Sequence, residues 1–162
     1  MTPAMYLTIW AALALFAGGE LGRARLGRVR AARSWPWWCW ILGIALCAAH
    51  FVIALDVRHD WSHAAAIQAT ARQTAAVYGV DWGGGFYANY LFLGVWAVDA
   101  WRWRQSPRAA RPPLLSLVLR AFYFVIILNA AVIFAAGWRR AIGAVIIGVL
   151  VIAWMSNREL PP

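Results

Sequence analysis

Apolar residues in this chain are gathered into long runs, and short polar tracts separate them. The runs cover residues 3–19, 36–55, 85–103, 114–137 and 141–155. A bilayer core about 30 Å thick needs roughly twenty apolar residues in a helix. Backbone groups in lipid must bond within their own segment, so each run is expected to be helical. The last run is the shortest, about 22 Å at 1.5 Å per residue, and it spans only with its flanking residues or by local thinning of the bilayer. The pattern predicts an all-α integral membrane protein, a bundle of about five transmembrane helices in a single polytopic domain over 1–162. Four spans with a final re-entrant or interfacial segment form the alternative.

Arginine placement orients the runs, because cytoplasmic loops are enriched in basic residues. Arg23, Arg25, Arg28, Arg30 and Arg33 lie between the first and second runs, and Arg102, Arg104, Arg108 and Arg111 between the third and fourth. Both loops are expected on the inner side. The loop between the second and third runs carries only Arg58 and Arg72 against Asp56, Asp60 and Asp81, and is expected to face out. Residues 1–10 hold no basic residue, so the first run lacks the basic start of a signal peptide and reads as an anchor with its N-terminus out. The C-terminus then lies in the cytoplasm. Arg139 and Arg140 fall on the outer side, against the rule.

The outer loop has its own element. Residues 62–78 are rich in Ala and free of Pro and Gly. Asp60 or Ser62 is placed to cap a helix there, and Gly79 to end it. The side with Ile67, Ala71, Thr74 and Tyr78 is only weakly amphipathic. The D-W-G-G-G stretch from Asp81 to Gly85 then makes a tight or flexible turn into the third run.

Composition agrees with a lipid-solvated chain. Of 162 residues, 64% are hydrophobic and 13% charged, against roughly 25% charged in soluble domains. Twelve tryptophans suit membrane interfaces, where an apolar ring meets a wet N–H. All basic residues are Arg, which reads as GC-rich coding. A formal charge of +9 raises nucleic acid as a partner, but the arginines sit in tracts between apolar runs, so the lipid bilayer is the expected partner and nucleic acid is not. The two cysteines, Cys39 and Cys47, are eight residues apart in one run, about 12 Å along a helix and too far for a disulfide. The expected location is a bacterial inner membrane.

Candidate chemistry concentrates at the outer end of the second run. If that helix continues outward, Asp56, His59, Asp60 and His63 project within an arc of about 100°. Two carboxylates and two imidazoles on one face suit a transition metal, with His50 in support. A solvated polar face explains the same residues without a ligand. Gln73, Tyr87, Asn89 and Asn129 lie at matching depth as supporting polar groups. Polar residues in hydrocarbon tend to face the bundle interior, and Asn89 and Asn129 suit interhelical hydrogen bonds. Near the inner side, Asp99 and Arg120 match in depth and are expected to form a structural ion pair, while Glu20 meets the arginines that follow it.

Several chemistries lack their parts. Haem between helices needs a His on each of two runs, and only the second run has one. Every Ser except Ser62 lies far from the histidines, no phosphate-binding Gly-rich motif follows a strand, and no acidic residue sits at mid-membrane for a proton pump. Two expectations remain. One is a non-catalytic subunit or scaffold of a membrane complex, docking other subunits or itself. The other is an outward-facing metal- or small-ligand-binding protein linked to metal handling or redox.

Overall fold

In a computed structural model of the chain, residues 2–109 and 111–156 are described. They form seven helices and one π-helical turn, with no strand among the described residues. The helices are α1 (Pro3–Leu26), α2 (Arg28–Ala31), α3 (Trp35–His59), α4 (His63–Tyr78), α5 (Gly85–Gln105), α6 (Pro113–Leu128) and α7 (Trp138–Ser156), and the π turn is Asn129–Ile133 between α6 and α7. Helix covers each predicted run except the end of the fourth, and the expected outer element is helical too. The last residues, 157–162, and with them the expected C-terminal end, lie outside the described residues.

Among the described residues, four helices are long and apolar enough to cross a membrane: α1, α3, α6 with its π turn, and α7. The short fifth run becomes adequate because α7 starts earlier, at Trp138, and reaches 19 residues. Helix α5 is 21 residues long but falls outside that set, since Asn89, Asp99, Arg102, Arg104 and its Trp and Tyr residues dilute its apolar character.

Helix α1 packs mainly on α3 and also on α7, while α5 packs on α3 and sets Phe92 and Trp96 against Phe16 of α1. Small residues allow that closeness. A Cβ on Gly19 would come within 2.7 Å of the Trp40 indole nitrogen. The core is aromatic. Phe16 stacks on Trp40 at 5.5 Å and meets Trp96 and Tyr123 edge-on at 5.0 Å. Trp40, Trp96 and Trp103 are fully buried, so these indoles fill the interior, whereas Trp35, Trp61 and Trp138 are exposed.

Two predicted boundaries move. Helix α1 runs past Gly19 to Leu26, carrying Arg23 and Arg25 on the helix and not in a loop. The fourth run does not continue as one α-helix to residue 137. It passes into the π turn, where Phe134 N–H bonds the Asn129 carbonyl at 2.9 Å. Such a turn leaves carbonyls to be satisfied elsewhere. Arg140 does so, donating from Nε to the Val132 carbonyl at 3.0 Å and from Nη2 to the Ala135 carbonyl at 3.0 Å. Its neighbour Arg139 sits over the Tyr6 ring at 4.5 Å. Arg139 and Arg140, expected on the outer side, therefore hold structural positions.

Helix α4 has the caps its sequence offered. Ser62 Oγ accepts from Ala65 N–H at 3.2 Å, and Gly79, at φ 72°, ends the helix in the left-handed region. Thr74 is buried beneath it. The glycine turn packs closely against this helix, because a Cβ on Gly83 would meet the Ile67 carbonyl oxygen at 2.7 Å.

Candidate functional site

The outer polar residues do not assemble as one face. Helix α3 stops at His59, Asp60 takes a left-handed conformation at φ 45°, Trp61 follows at φ 60°, and His63 opens α4. The shared face required α3 to continue through Asp60 and His63, and it does not, because two consecutive left-handed residues turn the chain away. Asp56 instead accepts the Trp61 indole N–H at 2.9 Å. His63 packs in an aromatic group, edge-on to Phe86 at 5.6 Å and stacked with Tyr90 at 6.5 Å. His59 and Asp60 end up at the helix end and in the corner after it. Among the described residues no group of three or more His, Cys, Asp or Glu side chains stands close enough to hold a metal ion.

The supporting residues are likewise separate. His50 lies inside the bundle with Nδ1 2.9 Å from the Met5 carbonyl oxygen and 3.4 Å from Thr8 Oγ1, which ties α3 to α1. Gln73, Tyr87 and Asn89 are exposed. Asn129 makes the interhelical hydrogen bond expected of it: its Oδ1 accepts from the Tyr78 hydroxyl at 2.5 Å, and its Nδ2 donates to the Val125 carbonyl at 2.8 Å. That bond fastens α4 to the π turn. Tyr78→Phe is expected to lower stability by roughly 0.5–1.5 kcal/mol, measured as the midpoint shift when dodecyl sulfate is titrated into the detergent-solubilised protein. An unmoved midpoint would deny the bond any weight.

At the opposite end, charged side chains are buried together. The C-terminal parts of α1, α5 and α7 meet the start of α6 there, as alternating helix directions require. Glu20 is 2% exposed, Arg23 6% and Asp99 4%. Glu20 Oε2 accepts from Arg23 Nη2 at 2.9 Å, one helical turn away, and from the Trp154 indole N–H of α7 at 2.7 Å. The Arg23 guanidinium lies 5.3 Å from the Trp40 ring and 5.5 Å from the Trp103 ring, a cation over two π faces. Glu20 thus meets the arginine tract as expected, within its own helix.

The expected Asp99–Arg120 pair is not formed. Asp99 pairs with Arg111, from the segment between α5 and α6, and accepts from the Tyr123 hydroxyl at 3.3 Å. Arg120 donates to the Trp154 carbonyl at 3.4 Å. Depth matched, but direction did not: Tyr123, three residues beyond Arg120, points about 60° around the helix from it and takes the side facing α5. Pro112 and Pro113 start α6 and hold Arg111 just ahead of it, against the end of α5. Burial, with Arg23 and Arg28 close by, lowers the Arg111 guanidinium to about 10, so it stays charged at neutral pH.

Indole N–H groups add further ties. Trp103 donates to the Arg28 carbonyl at 2.9 Å and Trp37 to the Ala100 carbonyl at 3.4 Å. Neither Arg111 nor these indoles stood out in the sequence. The Pro-Pro pair after Arg111 was the one signal that this arginine is held rigidly.

Beside Asp99 a groove of about 690 Å³ opens between α5 and α6, with apolar walls and with Arg102 and Arg111 at one end.

Fold and site together define an all-α protein with four helices long and apolar enough to cross a membrane, tied at one end by buried ion pairs. No protein-family model matches the chain, and neither a curated protein nor a solved structure matches it.

Proposed function

We propose that this chain is a multi-pass protein of a bacterial inner membrane that works as a non-catalytic subunit or scaffold of a membrane complex. In this reading α5 spans beside the four more apolar helices, the N-terminus faces out, and the buried charged end lies on the cytoplasmic side. The single observation that carries it is how the buried charges are used. Glu20, Arg23, Asp99 and Arg111 bind one another and neighbouring helices. In hydrocarbon such pairing holds a bundle in one arrangement, which suits a part that must present a constant surface. Helix α6 offers such a surface, with Leu117, Val118 and Val125 more than half exposed.

The reading is tested by blue-native electrophoresis of membranes solubilised in a mild detergent. The chain is expected in an assembly well above its own 18.0 kDa, and Asp99→Ala is expected to shrink that assembly while His59→Ala/His63→Ala leaves it intact. Migration as a lone chain, or an assembly indifferent to Asp99, would sink the proposal.

A further inference from the structure

The groove between α5 and α6 has the shape and charge of a site for one lipid molecule. Its walls are Leu91, Gly94 and Val98 of α5 and Leu115 and Leu119 of α6. One end carries the Asp99–Arg111 pair and the exposed Arg102. Tyr90 lines the other end, packed on Phe51 at 5.7 Å and Phe86 at 5.0 Å.

Length decides between occupants. From Leu91 to Arg102 is about 16 Å along a helix, half of a bilayer core about 30 Å thick. A partner helix that crossed the membrane would need twice that. An acyl chain in one leaflet fits it. Charge decides the headgroup. Around this end the guanidiniums of Arg23, Arg102 and Arg111 stand against the carboxylates of Glu20 and Asp99. That surplus of positive charge favours an anion, and guanidiniums match phosphate oxygens in geometry.

We infer that the α5–α6 groove binds an anionic phospholipid of the surrounding bilayer, its acyl chain along Gly94 and its phosphate on Arg102 beside Arg111. The inference rests on the membrane reading above, and it names what the open α5–α6 face holds. Basic pockets between transmembrane helices bind anionic headgroups on the same principle.

The test is native mass spectrometry of the full chain in dodecyl maltoside, with palmitoyl-oleoyl phosphatidylglycerol or the matching phosphatidylcholine added at equal concentration. Two variants keep the result independent of folding. A Cβ on Gly94 meets nothing within 4 Å, so Gly94→Leu fills the groove without pushing on the bundle. Arg102 is exposed, so Arg102→Gln removes charge without opening the core. The wild type is expected to hold one phosphatidylglycerol, preferred over phosphatidylcholine by about five-fold for one surface guanidinium. Arg102→Gln is expected to level that preference and Gly94→Leu to lose both lipids. Equal retention of the two lipids by the wild type, or an unchanged adduct in Gly94→Leu, overturns the inference. So does a co-purifying protein that Gly94→Leu displaces. Alkaline carbonate extraction of the source membranes separates the two failures. A chain released by carbonate ends the membrane reading and this one with it, while a retained chain without lipid selectivity ends only this one.

Discussion

Asp99→Ala is expected to destabilise the folded bundle by about 3–5 kcal/mol, the size seen when one partner of a buried ion pair is removed and the other is left behind. Asp99 is 4% exposed and both its contacts cross between elements, to Arg111 and to the Tyr123 hydroxyl. Removing the carboxylate leaves a guanidinium against the apolar ends of α5 and α6, near Arg23 and Arg28, which repel it. Titration with dodecyl sulfate, followed by far-ultraviolet circular dichroism, reads the loss. Arg120→Ala is the control. It removes a single 3.4 Å hydrogen bond to the Trp154 carbonyl and is expected to cost about 1 kcal/mol or less. Were Arg120→Ala to cost as much as Asp99→Ala, the assignment of Arg111 as the partner would fall. In the double variant Asp99→Ala/Arg111→Ala the two losses are expected to overlap by about 0.5–3 kcal/mol, as for residues in contact.

Gly143→Ala carries the second large effect, of opposite sign to what helix propensity alone suggests. In an open helix, Gly to Ala gains about 1 kcal/mol. A Cβ on Gly143 would instead press on the Ala131 backbone, 2.6 Å from its carbonyl carbon. Ala131 belongs to the π turn, so the obstacle is backbone and cannot swing aside as a side chain does. Overpacking of this kind costs about 1–3 kcal/mol, and a net loss is expected. Gly148, on the same helix, has nothing within 4 Å of its would-be Cβ. Gly148→Ala should therefore hold or raise stability in the same assay. Identical shifts for the two variants would show that α7 does not press on the π turn through Gly143.

The helices were legible because apolar length is a strong signal, yet their ends were not. Apolarity marks where a chain is soluble in lipid, while hydrogen bonding decides where a helix stops. Helix α1 continues through Arg23 and Arg25 to Leu26 because arginine is a good helix former and Arg23 reaches back one turn to Glu20. The π turn was hidden for a related reason: Asn129 reads as one polar residue in a long apolar run, and the bond to Tyr78 that holds it comes from α4, 51 residues away in sequence. At the charged end, depth along the helices correctly brought Asp99 near the start of α6. Rotation about α6, and the stiff Pro112–Pro113 step, chose Arg111 over Arg120. Tryptophan was the least readable residue. Composition points it to the interface, but Trp40, Trp96 and Trp103 are inside, because a large ring beside small helix residues packs well, and Trp103 also donates its N–H to the Arg28 carbonyl.

The corner at Asp60 and Trp61 has a consequence for how this chain tolerates change. Each residue of a helix advances its side chains by about 100°, so adding or removing one residue in α3 would rotate whatever follows in rigid continuation. Here the left-handed pair, latched by the Trp61–Asp56 bond, works as an index mark: it travels with the end of α3 and hands its own angle to α4. Helix α4 is anchored at its far end by Tyr78 on Asn129, so it is registered at both ends. A length change in α3 is therefore carried through α4 toward the π turn as a twist.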